Sequence, residues 1–215
     1  MEPGARPPVS PLKPALTGPA ANAEVYLASR SQRRRALLEQ IAVRYTVLDV
    51  AVDESRRSGL QPADQAQQLA RDKAQAGWQA PERIRNLPVL GADTLIEYRG
   101  EVFGKPHDRD HALRILARLS GQTHWVHTGI ALCAQQRCES AVSRTQVTLR
   151  SSTKAERLAY WYSGEPADKA GAYAIQGLGA VFVEAIQGSY SGVVGLPLCE
   201  TAQLLRRFGI DLFNE

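Results

Sequence analysis

One short segment constrains the fold more than any other. An apolar run at residues 87–90 leads directly into Gly91-Ala92-Asp93-Thr94, which predicts a buried strand that ends on a carboxylate. A buried charge is costly unless a metal, a counter-ion or a ligand compensates it. Because α/β sheets bind ligands in the crevice where strands end, we expect Asp93 to lie at a ligand site. An aspartate that only caps the next turn is the competing interpretation.

Segment 168–177 is the second place where charge occurs among residues that favour burial. The rest of the chain alternates between strand-like and helix-like patterns. Predicted strands cover residues 25–28, 45–50, 87–93, 101–103, 123–134, 141–149 and 181–186. Five helices are predicted. The first follows Ser31, the second begins at Pro62, and the third carries an apolar stripe over 112–119. The fourth starts at a Thr153/Glu156 capping box, and the last spans 198–208. This order predicts an α/β protein with a mixed, twisted sheet flanked by helices.

Composition is that of a globular chain. The 215 residues are 44% hydrophobic and 22% charged, which is enough for one domain or two fused lobes with a core. A net charge of +4 suits polyanionic partners, but it does not distinguish nucleic acid, acidic membranes and nucleoside triphosphates. Residues 1–22 hold six of the twelve prolines and few large apolar side chains, so we expect a flexible extension.

Cysteine usage and hydropathy predict a cytoplasmic protein. Cys133, Cys138 and Cys199 are odd in number and lack the close pairs of a zinc site or disulfide framework, so we expect free thiols in a reducing compartment. No apolar stretch approaches the roughly 18 residues of a membrane span, and the N-terminus lacks a signal-peptide core. We therefore expect no membrane partner.

The turn after the first strand has the features of a phosphate site. It contains Ser29 and opens a helix whose first turns carry Arg33 and Arg34. Free backbone N–H groups and the positive end of the helix dipole favour phosphate there. Arginines at the start of a solvated helix are the alternative, and the position after a strand favours the phosphate site.

Two lysines and a second acidic residue are further candidate site residues. Lys73 shares a helix face with small apolar residues, so its ammonium is directed toward the sheet or to water. Lys105 lies in the Gly104-Lys105-Pro106 loop, where it either meets a ligand or is exposed. Glu54 follows the second strand and offers, with Asp93, the one or two carboxylates that hold Mg²⁺ against substrate phosphates. A solvated acidic loop remains open for Glu54.

Several motifs, taken in order, resemble the Maf nucleotide pyrophosphatases. The resemblance runs from about Val25 to Phe208, and matches in the right order are far more specific than any single pattern. The segments that carry it are 28–38, Gly91-Ala92-Asp93-Thr94, Gly104-Lys105-Pro106, Leu119-Ser120-Gly121, 168–177 and Val194-Gly195-Leu196-Pro197-Leu198.

The resemblance implies hydrolysis of a nucleoside triphosphate to the monophosphate and pyrophosphate, with a divalent cation, Mg²⁺ or Mn²⁺, as cofactor. It also implies a cytoplasmic α/β domain over residues 23–215, with two lobes around a central cleft as in the inosine triphosphatases. Family members are often dimers, so we expect a homodimer. One departure is Gln32, where the family usually has proline; this should loosen the helix start slightly.

The resemblance also implies roles for individual residues. Asp93 and Glu54 would hold the cation, and Asp93 would accept a proton from the attacking water. Arg33, Thr94 and Gln176 are similar to the branch that acts on dTTP and UTP. A buried glutamine amide would match the carbonyl and N–H of thymine or uracil. Charge on the phosphates would be neutralised by Arg33, Arg34, Lys73 and Lys105, with Ser29 and Lys169 close to the substrate.

Two alternatives stay open. The basic balance and the family's association with arrest of cell division allow a regulatory nucleic-acid-binding protein. The basic residues lack the interleaved aromatic side chains of single-strand binders, so nucleic acid is not the partner that we expect. A purine-type pyrophosphatase, acting on inosine or 7-methyl-guanosine triphosphates, is the other alternative.

Overall fold

A computed structural model describes residues 23–55 and 59–213 of the chain. The predicted extension at residues 1–22 lies outside the described residues. Strands are β1 (Val25–Ala28), β2 (Tyr45–Val47), β3 (Val89–Tyr98), β4 (Glu101–Phe103), β5 (Thr123–Ala134), β6 (Arg137–Leu149) and β7 (Val183–Gln187). Helices are α1 (Gln32–Gln40), α2 (Pro62–Gln79), α3 (Arg109–Leu119), α4 (Lys154–Tyr162), α5 (Tyr190–Val194) and α6 (Leu198–Arg207).

Over the described residues, seven strands form one mixed sheet in the order β2-β1-β3-β5-β6-β7, with β4 also paired to β3. β1 runs parallel to β2 and β3, and the other pairs are antiparallel. The mixed sheet flanked by helices confirms the predicted fold class. No helix of the described ranges combines the length and apolarity that crossing a bilayer requires.

β3 joins two hydrophobic cores. Its first half packs Leu90 and Ala92 into a core with β1, α1 and α6, and its second half packs Ile96 and Tyr98 into a core with α3 and α4. On the edge of β3 away from β5, β1 pairs with residues 89–91 and β4 pairs with 96–98. Residues 92–95 therefore lie in a gap between two edge strands. This gap separates the two lobes that the sequence predicted.

α2 lies unusually close to the sheet because small residues meet there. A Cβ added to Gly91 would lie 2.2 Å from the carbonyl oxygen of Ala70, and one added to Gly129 would lie 2.3 Å from that of Ala66. Real Cβ atoms do not approach backbone so closely, so only glycine allows this packing at both strand positions. The close approach brings the next inward-facing side chain of α2, Lys73, over β3.

Two predictions about this region were wrong. β3 does not end at Asp93 but continues to Tyr98, because its second half pairs with both β4 and β5. Cys133 and Cys138 are not free thiols but form a disulfide. β6 begins at Arg137, earlier than predicted, and its register places Cys138 directly opposite Cys133. Cys199 is free, as expected, and it is exposed.

Candidate active site

A cleft of ≈ 1380 Å³ opens at the gap in the edge of β3. Its walls come from the β1–α1 turn, α2, the loop after β4 and the segment that follows α4. All ten residues singled out from the sequence line it: Ser29, Arg33, Arg34, Glu54, Lys73, Asp93, Thr94, Lys105, Lys169 and Gln176. The residues that the sequence singled out therefore lie together in one cavity.

The floor of the cleft contains two carboxylates that share one ammonium group. Lys73 Nζ donates to Asp93 Oδ1 at 2.6 Å and lies 2.6 Å from Glu54 Oε1. Lys73 and Asp93 are buried, whereas the Glu54 side chain is 58% exposed. Since both oxygens contact the same nitrogen, the two carboxylates are close enough to share a cation. The buried aspartate has the counter-ion that burial of its charge requires.

Cations around Glu54 keep it ionised. Partial burial raises the pKa of Glu54, but the hydrogen bond and charge of Lys73, together with the charges of Lys105 and Arg34, hold the pKa below its usual value. A carboxylate that stays ionised at neutral pH can act as a metal ligand or an electrostatic partner.

The start of α1 holds one arginine firmly against the cleft. Ser31 is the N-cap residue, and its hydroxyl accepts from the backbone N–H of Arg34 at 3.4 Å. The Arg34 guanidinium donates to Ser29 Oγ at 3.1 Å, to Thr94 Oγ1 at 3.3 Å and to the Gly195 carbonyl at 2.8 Å. Burial lowers the pKa of Arg34, and the charge of Asp93 opposes that shift.

Thr94 connects Arg34 to the interior of the sheet. Its Oγ1 is 3.0 Å from Thr128 Oγ1, and Thr128 donates to the Gly192 carbonyl at 2.7 Å. Arg33 donates to the Val194 carbonyl at 3.4 Å, so both arginines contact the turn before α6. These hydrogen bonds fix the arginines relative to β3.

The opposite wall carries the remaining candidates. Lys105 is exposed in the loop after β4, and Lys169 is largely covered and paired with Asp168. Two expectations fail here: Asp168 is exposed, and Gln176 is exposed rather than buried. The physical reason is that segment 168–177 borders an open cleft, so burial stops at Ile175.

Sequence reasoning missed a pair of residues at this wall: Glu165, which lines the cleft, and Tyr160 of α4, which lies behind it. Tyr160 donates to Glu165 Oε1 at 2.6 Å, and the Glu165 carboxylate accepts from the backbone N–H groups of Leu178 and Gly179. Only a helix end and an acidic residue mark this pair in the sequence, and neither feature identifies a partner thirteen residues away.

The oxygen donors of Glu54 and Asp93 fit a magnesium-type ion. Mg²⁺ is commonly bound by one or two carboxylates and completed by substrate phosphates and water. Over the described residues, no group of three or more histidine, cysteine or acidic side chains is placed to hold a metal alone. The donor set thus fits an ion that arrives with a phosphate ligand and not a closed structural site.

Comparisons with known proteins identify relatives along most of the chain. A dTTP/UTP pyrophosphatase of Saccharophagus degradans is 49% identical over 194 residues, covering 90% of this chain and 92% of the relative. Proteins of the same name from Pseudoalteromonas atlantica and Bordetella avium are each 50% identical, covering 86% and 87% of this chain and 96% of each relative. Among solved structures, the Staphylococcus aureus Ham1 protein matches with a TM-score of 0.40 and 15% identity, over 58% of this chain and 71% of that one.

A family model described as Maf-like protein matches residues 24–208. That range contains all ten predicted site residues and every described residue except Ala23 and residues 209–213. The relatives match over nearly their whole length, so the likeness is not confined to one motif. The chain belongs to the Maf-like protein family.

Proposed function

We propose that this protein hydrolyses nucleoside triphosphates, dTTP and UTP in particular, to the monophosphate and pyrophosphate. The observation that carries the proposal is the cleft itself, in which the carboxylates of Glu54 and Asp93, both bound to Lys73, face arginine and lysine side chains from both lobes. Relatives that are about 50% identical and bear the name dTTP/UTP pyrophosphatase support the choice of reaction and substrate.

In this proposal the triphosphate lies against the cationic groups of the cleft. Arg34 is already oriented by three hydrogen bonds, so little entropy is lost when it binds a phosphate oxygen. Arg33, Lys105 and Lys169 add positive charge at the same cavity. Stabilisation of charge on phosphate oxygens is the main requirement of phosphoryl transfer.

The hydrolytic step is assigned to the floor of the cleft. A water molecule attacks the α-phosphorus, the bond from that phosphorus to the bridging oxygen breaks, and pyrophosphate leaves. Asp93 accepts the proton of the water, and Lys73 orients the carboxylate through their 2.6 Å hydrogen bond. A divalent cation, Mg²⁺ or Mn²⁺, held by Glu54 and Asp93, would supply further positive charge to the phosphates.

Base choice is assigned to Thr94 and Gln176. The exposed amide of Gln176 offers one acceptor and two donors to the cleft, which suits the carbonyl and N–H of a pyrimidine base. A base that leaves these groups unpaired in a desolvated complex is penalised. We also propose that the protein acts in the cytoplasm as a homodimer; sedimentation of the purified protein tests the dimer.

The test is a panel of nucleoside triphosphates, including dTTP, UTP, GTP, ITP and 7-methyl-GTP, with Mg²⁺ or Mn²⁺. Pyrophosphate and orthophosphate release are followed separately. Pyrophosphate as first product, fastest from dTTP and UTP, supports the proposal. Orthophosphate as first product contradicts the proposed reaction. Faster hydrolysis of the purine nucleotides contradicts the proposed choice of substrate.

A matched pair of variants tests the assigned base. Asp93→Asn should reduce turnover by about 10²–10⁴-fold, the usual contribution of a general base, while leaving the protein folded. Asp110→Asn makes the same change at an exposed aspartate in the first turn of α3, outside the cleft, and should keep full activity. Near-full activity of Asp93→Asn would exclude Asp93 as proton acceptor.

A further inference from the structure

The loop that carries Gln176 is held by two side chains that lie outside the segments singled out from the sequence. This base-facing loop, residues 174–179, begins on the buried Ala174 and Ile175 and ends on the buried Gly179. Between them, Gln176 is exposed to the cleft, and within the described residues no hydrogen bond holds its amide. The place from which that amide reaches into the cleft therefore depends on the backbone on either side of it.

Tyr160 and Glu165 fix that backbone on both sides of Gln176. Before it, the N–H of Ala174 donates to the Tyr160 hydroxyl at 3.1 Å. After it, the N–H groups of Leu178 and Gly179 donate to the Glu165 carboxylate at 2.9 and 2.8 Å. The Tyr160 hydroxyl donates in turn to Glu165 Oε1 at 2.6 Å, which joins the two anchors.

Two glycines make these contacts possible. Gly177 has φ +88°, and a Cβ there would lie 2.3 Å from Glu165 Oε2. A Cβ on Gly179 would lie 2.5 Å from the Tyr160 hydroxyl and 2.3 Å from the Ala174 carbonyl oxygen. At both glycines the loop backbone therefore packs directly against the Tyr160–Glu165 pair, with no space for a side chain.

The carboxylate also stays ionised in this position. Partial burial raises the pKa of Glu165, but the hydrogen bonds from Tyr160, Gly179 and Leu178 outweigh that effect and hold the pKa below its usual value. An ionised acceptor forms stronger hydrogen bonds to backbone N–H groups than a neutral one. The charge also lies at the N-terminus of the short 3₁₀ turn Leu178–Phe182, where negative charge is favourable.

We propose that Tyr160 and Glu165 are positioning residues for base recognition: they orient Gln176 through the backbone of the base-facing loop without contacting the reacting phosphates. This inference rests on the proposed function, because it assumes that Gln176 contacts the base. It goes beyond that function in assigning specificity to two residues that are not among the ten predicted site residues, one of which, Glu165, also lines the cleft. Loss of either should weaken base discrimination while the hydrolytic step at Asp93 continues.

Kinetics of Tyr160→Phe and Glu165→Gln test the proposal, with kcat and KM measured for dTTP and GTP. The amide nitrogen of a glutamine cannot accept a hydrogen bond, so Glu165→Gln loses at least one backbone anchor. We expect the dTTP-to-GTP ratio of kcat/KM to fall about tenfold, the equivalent of one misaligned hydrogen bond, through KM for dTTP. The value of kcat for dTTP should stay within about twofold.

Two controls separate positioning from general damage. Tyr98→Phe removes a comparable hydrogen bond, from the tyrosine hydroxyl to Gln122 at 2.7 Å, in the same lobe but outside the cleft, and should leave the ratio unchanged. In a Gln176→Ala background, Glu165→Gln should change the ratio by less than about twofold, because residues that act as one unit are not additive. Additive effects, or an equal loss in Tyr98→Phe, overturn the proposal.

Amide hydrogen exchange provides a readout that does not depend on the substrate. In Glu165→Gln, exchange at Leu178 and Gly179 should accelerate at least about tenfold, while the core strand β5 is unchanged. Unchanged exchange at both amides overturns the proposal whatever the substrate. If the unmodified protein does not distinguish dTTP from GTP, the proposed substrate and the specificity role both fail, and the exchange result still decides whether Glu165 holds the loop.

Discussion

The close packing of α2 on the sheet predicts that one added methyl group will disable the site from a distance. Gly129 of β5 pairs with Asp93 of β3 and lies under α2. In Gly129→Ala, the new Cβ would lie 2.3 Å from the carbonyl oxygen of Ala66 and 2.6 Å from Gln67 Cα. Ordinary contacts begin at 3.4 Å, so the α2 backbone must retreat by about 1 Å.

Two measurable effects follow from that displacement. Overpacking should lower the free energy of unfolding by about 1–3 kcal/mol. Lys73 moves with α2, so its 2.6 Å hydrogen bond to Asp93 lengthens beyond ordinary hydrogen-bond distance. Misplacement of a catalytic group by about 1 Å costs about 10²-fold in rate, and we expect a loss of that order in kcat for dTTP.

Denaturant unfolding and pyrophosphate-release kinetics measure the two effects on the same preparation. Leu119→Ala in α3 is the control: it removes a fully buried side chain from the other core and should cost about 2–5 kcal/mol without moving α2. Its kcat should be retained at temperatures where it stays folded. A Gly129→Ala protein with full kcat would refute the argument that α2 packing positions Lys73.

Three further predictions concern stability and covalent state. Burial lowers the pKa of His124 to about 4. As pH falls, the unfolded chain therefore binds a proton at this histidine before the folded protein does. The free energy of unfolding should fall by up to about 3 kcal/mol as pH drops from about 6.5 to about 4. Urea midpoints at pH 7 and pH 5 measure this fall, and His124→Gln should flatten it. Gln32→Pro, at the first residue of α1, should raise the free energy of unfolding by about 0.4–1 kcal/mol; a lower melting temperature contradicts this. Denatured, unreduced protein should alkylate at Cys199 alone, and labelling of Cys133 or Cys138 before reduction would disprove their disulfide.

Local signals were enough to predict most elements. The Thr153/Glu156 capping box does start α4, Pro62 does start α2, and Gly121 follows α3 with φ +68°. The strand-like run at residues 123–134 predicted both ends of β5. These features succeeded because each depends on residues within one or two turns of the chain.

Features that depend on long-range pairing were not predictable. The second half of β3 contains Asp93, Thr94 and Glu97, so its polar residues resemble a loop although they pair with β5. The start of β6 is polar too, which hid the register that brings Cys138 to Cys133. Likewise, nothing near Gln176 indicates that Glu165 holds its loop, because that contact is made by backbone N–H groups.

The gap in the edge of β3 explains how two adjacent residues, Asp93 and Thr94, can line one cleft although they lie on opposite faces of the sheet. Asp93 and Thr94 alternate in direction along the strand, so Asp93 meets Lys73 of α2 while Thr94 meets Arg34 of α1 on the other face. In a continuous sheet, neighbouring strands would keep these two faces apart. Because β1 ends and β4 begins on either side of residues 92–95, both side chains reach the same cavity. Extending β1 by pairing beyond Ala28 would close the gap and separate Asp93, the proposed proton acceptor, from Thr94, the threonine proposed to choose the base.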